Sequence, residues 1–352
     1  MNIISKIHDL DVNNLCATKR QKLGKAVNSL NKKIFDVIAI CLKSLNVSLA
    51  RAVKSNPKIT FRTTLGATEN QRVFVFGDIH GELKGFAENL LNAGLIDNEE
   101  KWIGESCLMI QMGDVIDRGA KSEEAWDYLN ELQMQAEKTS GKVIRLTGNH
   151  ELMVLQGNFH YAKHVIKNPV KFSEKIKTEI LNGKVRLAYT DGKRLYTHAG
   201  LRSKLREQII NEIREKQPFA DHQIFVEDIV DHLNNLLVKA IENNDFTHAI
   251  FNVGYSRGGK HSIGGVLWED ASEMLRSSRA LVVPQVIGHN PPRSREEPPI
   301  RITESKRLVI VDAGLNPIYG GHQAYVIFEG ADIIIKNKVA DLWLQTKTKD
   351  II

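Results

Sequence analysis

The sequence predicts an α/β fold, with two mixed β-sheets packed as a sandwich, α-helices on the flanks, and a helical N-terminal extension. Two observations carry this. Between residues 72 and 155, three apolar, β-forming runs occur in succession, each followed by a polar loop and then by a stretch with helical spacing. Beyond residue 280 the pattern changes to short apolar runs separated by tight turns, so the chain adds mainly strands. That switch fits two packed sheets better than one doubly wound sheet.

Taken in chain order, the first element is the extension, residues 1–65. Leu23, Val27, Leu30, Ile34, Val37, Ile38, Cys41 and Leu42 recur at three- and four-residue steps, the pattern of an amphipathic helix or helix pair. Asn56-Pro57 then punctuates the chain. Residues 66–352 form the second, larger domain. Residues 72–76 read as a strand buried on both faces and end in Gly77-Asp78, and Leu83, Phe86, Leu90 and Leu91 mark a helix over 82–93. The same unit repeats with a strand over 107–112 ending in Gly113-Asp114 and a helix from Ser122 to about Lys138. It repeats again with a strand over 143–147 ending in Gly148-Asn149 and a helix from about Glu151. Charge-rich segments over 155–190 and 202–262 read as helical insertions, and strands are expected over 280–287, 307–311, 323–329 and 331–336.

With 42% hydrophobic and 26% charged residues in 352, the chain has the composition of an ordinary soluble protein. Residues 1–60 hold eleven Lys/Arg against three Asp, a balance of +8, so the formal net charge of +6 leaves −2 for the remainder. A basic stretch of this kind suits an acidic partner or a membrane surface, although a solvated helical face carries the same pattern. No nucleic-acid contact is expected, since Trp102, Trp126, Trp268 and Trp343 do not alternate with basic residues. Cys16, Cys41 and Cys107 form no CxxC pair, which points to a reducing compartment. The first twenty residues contain Asp9, Asp11, Lys19 and Arg20 and no continuous apolar run, and the run at 37–42 is too short to span a bilayer. A soluble, cytoplasmic protein is expected, with delivery outside the cell by a signal-independent route left open.

Three short motifs stand where the first strands end: Gly77-Asp78-Ile79-His80-Gly81, Gly113-Asp114-Val115-Ile116-Asp117-Arg118-Gly119 and Gly148-Asn149-His150-Glu151. Each glycine permits a tight turn and close approach to a ligand. Each turn then presents a carboxylate, an imidazole or an amide oxygen, a ligand set suited to Mn, Fe or Zn. One such motif is a polar turn with a chance Asp or His; three in order, each after an apolar strand, make a far more demanding pattern.

In order and spacing these blocks resemble the signatures of the phosphoprotein phosphatases within the calcineurin-like metallophosphoesterases. Tyr196-Thr197-His198-Ala199-Gly200 and Val286-Ile287-Gly288-His289-Asn290 extend the resemblance, which spans about residues 70–336. Asp312-Ala313-Gly314 and Tyr319-Gly320-Gly321 look most like the Shewanella-like, bacterial-type branch. Some secreted bacterial effector phosphatases are similar too. The resemblance implies the four-layer metallophosphoesterase fold and two divalent metal ions, manganese first, iron or zinc next. It implies Asp78 and His80 on the first metal, Asp114 bridging, and Asn149, His198 and His289 on the second. It implies His150 as the acid for the leaving oxygen, Asp117 as the group that orients it, and Arg118, Asn149 and Tyr319 on the phosphate. The implied reaction is hydrolysis of phosphoserine and phosphothreonine monoesters on a protein by a metal-bridging hydroxide. A phosphotyrosine substrate and a dinucleoside polyphosphate are the alternatives.

Two departures bear on substrate orientation. Many members carry Arg directly before the GNHE block, where this chain has Thr147. A further phosphate-binding Arg usually follows an LW element, but Leu267-Trp268 is followed by Glu269-Asp270, leaving Arg257, Arg276 and Arg279 as equal candidates. His160 and His164, four residues apart, lack an evident third ligand and read as an exposed helical pair.

Overall fold

The computed structural model describes residues 59–61, 71–216, 223–294 and 296–348. In chain order the strands begin with β1 (Ile59–Thr60), β2 (Val73–Phe76), β3 (Leu108–Gln111), β4 (Lys142–Leu146), β5 (Val185–Arg186), β6 (Ala188–Thr190) and β7 (Leu195–Thr197). They continue with β8 (Ile224–Phe225), β9 (Gln285–Ile287), β10 (Arg301–Ile302), β11 (Leu308–Ile310), β12 (Ala324–Glu329), β13 (Asp332–Val339) and β14 (Leu342–Lys347).

Two mixed sheets result. The larger has the order β14-β13-β12-β2-β3-β4-β5, with β2 through β5 parallel and β12 antiparallel to β2. The smaller has the order β10-β11-β9-β7-β6, with β7, β9 and β11 parallel. Alternation along each strand builds the layers. Val73 and Val75 of β2 join Ile110, Ile144, Val286 and Val309 in the core between the sheets. Phe74 and Phe76 point the other way, into a core with Phe86, Leu90, Trp126 and Leu129 from helices Leu83–Ala93 and Ser122–Glu137. On the smaller sheet, Ile287, Leu308 and Ile310 face outward and are covered by Ala271 and Met274 of helix Ala271–Ser277. The fold is therefore the flanked sandwich the sequence predicts.

Helix Leu83–Ala93 shows how local chemistry sets an element's ends. The Glu82 carboxylate accepts from the Gly85 N–H at 3.4 Å, and Gly94 closes the helix at φ 67°, a left-handed C-cap. The four-residue spacing of Phe86 and Leu90 turns both side chains into the core.

Several expectations need correction. The expected strand over 280–287 shortens to β9, because Pro284 has no N–H to give a sheet ladder, and Ser278–Ala280 is a 3₁₀ turn instead. The segment 155–190 is only half helical: after helix Pro169–Leu181 it supplies β5 and β6, one at an edge of each sheet. His160 and His164 are exposed as expected, but His160 lies in a turn and only His164 is helical, at the end of the 3₁₀ turn Ala162–His164. Helices Ser203–Lys216 and Val226–Asn243 fill most of 202–262. Strand β14, paired antiparallel with β13, escapes sequence reading because its face is largely exposed and its apolar pattern weak. The basic extension lies outside the described residues except at 59–61, where β1 pairs in parallel with β8 within the compact unit Lys58–Ile352. Among the described residues, no helix is long and apolar enough to cross a membrane.

Candidate active site

Parallel register brings three loops to one edge. Phe76 lies opposite Gln111, and Gln111 opposite Arg145, so the turns holding Asp78, Asp114 and Asn149 leave the larger sheet side by side. From the smaller sheet, His198 follows β7 and His289 follows β9, and the Gly288 N–H donates to the His198 carbonyl at 2.8 Å. This is the carboxyl edge at which open α/β sheets bind ligands.

The loops brace one another through their backbones. The N–H groups of Ile79 and His80 both donate to the Asp114 carbonyl, at 3.0 and 2.9 Å. The fully buried Glu151 carboxylate accepts from Gly148 and Asp114 through one oxygen, at 2.7 and 2.9 Å, and from Val115 and Ile116 through the other, at 2.9 and 3.3 Å. Such bracing has a purpose. His80, Asp114, Asp117, Arg118 and His289 have φ of 48°, 52°, 70°, 72° and 65°, a left-handed region that costs a non-glycine residue about 1–3 kcal/mol. Close packing also requires Gly148, since a Cβ there falls 2.1 Å from Asp114 Oδ1. Gly113, at φ 95°, is equally restricted, its Cβ position lying 2.5 Å from the Gly148 nitrogen.

Two hydrogen bonds settle which histidine nitrogens face the centre. His80 Nδ1–H donates to the Ile116 carbonyl at 3.0 Å and His198 Nδ1–H to the Met112 carbonyl at 2.8 Å. Each Nε2 thus carries a lone pair inward. His198 Nε2 lies 3.0 Å from Asn149 Oδ1, 3.2 Å from His289 Nδ1 and 3.4 Å from Asp114 Oδ2. His80 Nε2 lies 3.7 Å from Asp114 Oδ2 and 4.0 Å from Asp78 Oδ2. The six residues expected as metal ligands are thus gathered in one cluster, all buried. Candidate ligand atoms of His80, Asp114 and His150 lie within 4.8 Å of one another, and so do those of Asp114, His198 and His289. Two acceptor groups sharing one carboxylate fit a pair of divalent cations.

The electrostatics ask for positive charge. Burial, with Asp312 and Asp114 nearby, holds the Asp78 carboxyl well above its usual range. Burial lifts Asp312 to about 6 and, with Asp114, Glu151 to about 7. Burial also drives His80 down to about 3 and His289 well below the usual imidazole value, so both rings are neutral. Asp114 goes the other way: burial pushes it up, but His198 first and His150 next hold it well below the carboxylate range.

His150 Nδ1 meets Asp117 Oδ2 at 2.6 Å, and the His150 N–H donates to Asp114 Oδ1 at 2.9 Å. Burial opposes a charged ring here, yet Asp114 and Asp117 outweigh it and raise the His150 pKa. Beside it opens a cavity of about 260 Å³, lined by Asp78, Asp114, His150, Arg118 and Tyr319 among others. Arg118 Nε donates to Tyr319 Oη at 3.0 Å. Of the three arginines left open by the sequence, Arg257 reaches this cavity, held by Asp270 at 3.1 Å and by the Asn290 side chain. Arg276 stays exposed beside Glu273, and Arg279 is also exposed. Thr147 is buried, and its Oγ1 meets no partner among the described residues. Tyr161 and Met153 also line the cavity, neither singled out by a motif, as does Trp268 of the Leu267-Trp268 element.

The chain is similar to known proteins in sequence and in fold. Shewanella-like protein phosphatase 2 of Arabidopsis thaliana is 40% identical over 91 residues, 26% of this chain and 23% of that protein. Shewanella-like protein phosphatase 1 of Plasmodium berghei (strain Anka) is 38% identical over 92 residues, 26% of this chain and 25% of that one. The aligned part thus spans about a quarter of the length of these curated relatives. The solved cold-active protein-tyrosine phosphatase of a psychrophile Shewanella sp. superposes with a TM-score of 0.52 at 18% identity, covering 84% of each chain, a likeness of fold. The calcineurin-like phosphoesterase family matches residues 71–324, a stretch that includes every site residue named above, and the chain belongs to that family.

Proposed function

We propose that the chain is a metal-dependent phosphoprotein phosphatase that hydrolyses phosphoserine and phosphothreonine monoesters. The observation that carries this reading is the gathering of Asp78, His80, Asn149, His198 and His289 around Asp114, beside a cavity lined by Arg118 and by His150, whose ring is held by Asp117. Asp78, His80 and Asp114 would hold one divalent cation, and Asp114, Asn149, His198 and His289 the other, with manganese first and iron or zinc next. Bound there, the cations would acidify water and offset the charge that develops on the phosphoryl oxygens.

The remaining roles belong to the chain's own groups. Arg118 offers a planar fork of donors to phosphate oxygens, and Arg257 supplies a second positive charge on the same cavity wall. Asn149 presents an amide oxygen without adding negative charge beside a phosphate dianion. With His150 Nδ1 committed to Asp117, Nε2 is the nitrogen left to carry a proton to the leaving oxygen. Asp117 holds the ring in that tautomer and favours its charged form.

A cavity of about 260 Å³ has room for a phosphorylated side chain. The names of the two protein phosphatase relatives point the same way. Phosphotyrosine remains the second reading, favoured by the aromatic wall of Tyr161, Trp268 and Tyr319. An acidic partner or membrane surface for the basic residues 1–65 remains part of the proposal, carried by charge alone. Turnover of phosphoserine, phosphothreonine and phosphotyrosine peptides and of a dinucleoside polyphosphate, all under Mn²⁺, tests the assignment. The first two peptides are expected to lead, and failure of all three peptides removes the protein-phosphatase reading.

A further inference from the structure

Arg118 and Arg257 share one cavity but are held by opposite means. Arg257 Nε is paired with the Asp270 carboxylate at 3.1 Å, which neutralises part of its charge. Arg118 is held by two tyrosines. Its Nε donates to Tyr319 Oη at 3.0 Å, and its guanidinium carbon lies 4.0 Å from the ring centre of Tyr161. A carboxylate would orient Arg118 equally well but would compete with phosphate for its charge. A neutral aromatic face orients the cation and leaves that charge to the incoming dianion.

The braced loop fixes the Arg118 backbone, at φ 72°, but the long side chain has rotamer freedom of its own, which its contacts must restrict. Tyr161 comes from the segment between helix Asn149–Leu155 and helix Pro169–Leu181, outside every motif, so no motif comparison points to it. Its ring centre also lies 5.4 Å from that of His150, so it touches both the arginine and the acid.

We propose that Tyr161 is a positioning residue whose ring fixes the Arg118 guanidinium toward the phosphate subsite, an inference that rests on reading the cavity as a phosphate-monoester site. The test uses the full chain reconstituted with Mn²⁺, binding of inorganic phosphate by calorimetry, and steady-state turnover of p-nitrophenyl phosphate. Tyr161→Phe keeps the ring and loses only the hydroxyl, which also meets Arg118, and is expected to stay within about threefold of the parent in phosphate affinity. Tyr161→Leu is expected to weaken phosphate binding about tenfold and to raise KM more than it lowers kcat, with metal content unchanged. Tyr161→Gln gives the same reading should leucine disturb the fold. In an Arg118→Ala background the loss from Tyr161→Leu should shrink to less than about twofold, the mark of coupling between the two side chains.

An equal loss from Tyr161→Leu with and without Arg118 overturns the inference. So does a phenylalanine variant as impaired as the leucine one, or a leucine variant that binds phosphate as tightly as the parent. A parent chain that hydrolyses the ester but shows no such coupling removes this inference alone. A parent chain that binds phosphate with the coupling yet hydrolyses no ester removes the functional reading and leaves Tyr161 in place.

Discussion

At the scale of single residues, the proposed reaction gives the two members of the His150–Asp117 pair different work from the proposed ligands around them. His150 lies in direct hydrogen-bond contact with two carboxylates, Asp117 at its ring and Asp114 at its backbone N–H. Its ring nitrogen Nδ1 is spoken for by Asp117, and its proposed part in the reaction is the proton that Nε2 can deliver. His150→Asn removes that proton while leaving the six proposed ligands in place. Turnover is expected to fall by about 10²–10⁴-fold, the usual range for a lost general acid, while bound metal stays at the parental level. Metal analysis and kcat measured on the same preparation check this; a loss of metal in step with activity would make His150 a ligand and not an acid.

At the scale of elements, the insertion helices are fastened by a small titratable cluster well away from the motifs. Glu212 on helix Ser203–Lys216 accepts from His232 Nε2 at 2.8 Å and from His248 Nε2 at 3.1 Å, tying that helix to helix Val226–Asn243 and to the turn after it. Lys216 Nζ, the remaining charged group at the cluster, lies 3.4 Å from His232 Nδ1. Burial lowers the pKa of His232, with Glu212 opposing it only in part. For Glu212 burial acts upward, but hydrogen bonds from His232, Gln208 and His248 leave it below the usual glutamate value. Both groups therefore bind a proton more readily in the unfolded chain, so their contribution to stability grows with pH. It is complete above the ordinary imidazole value of about 6.5 and is lost first through His232, then through Glu212, as pH falls. Thermal melts between pH 8 and pH 4 should show a falling midpoint below about 6.5, with the upper part of the fall reduced in His232→Asn. A variant profile that overlays the parent's would show that the cluster does not carry the effect.

At the scale of the whole molecule, the parts legible in the sequence were those in which local pattern and chemistry coincide. Asp78, Asp114 and Asn149 each follow an apolar strand and a glycine-bearing turn, and parallel pairing then brings them to one edge. His198 and His289 sit at the ends of strands in the second sheet by the same logic. Arg257 was legible only as one of three candidate arginines and Tyr161 not as a site residue, because tertiary packing of the two charge-rich segments, not a period or a spacing, places them on the cavity wall. Strand β14 was missed because an exposed strand needs no apolar alternation. The central claim is that scattered side chains from two sheets converge to hold a pair of divalent cations around Asp114. Its most direct test is the number of manganese ions bound per chain, measured by calorimetry with elemental analysis on the parent and on Asp114→Asn. The account predicts two ions in the parent and one or none in the variant at equal protein folding; a parent that binds fewer than one, or a variant that still binds two with unchanged affinity, would contradict it.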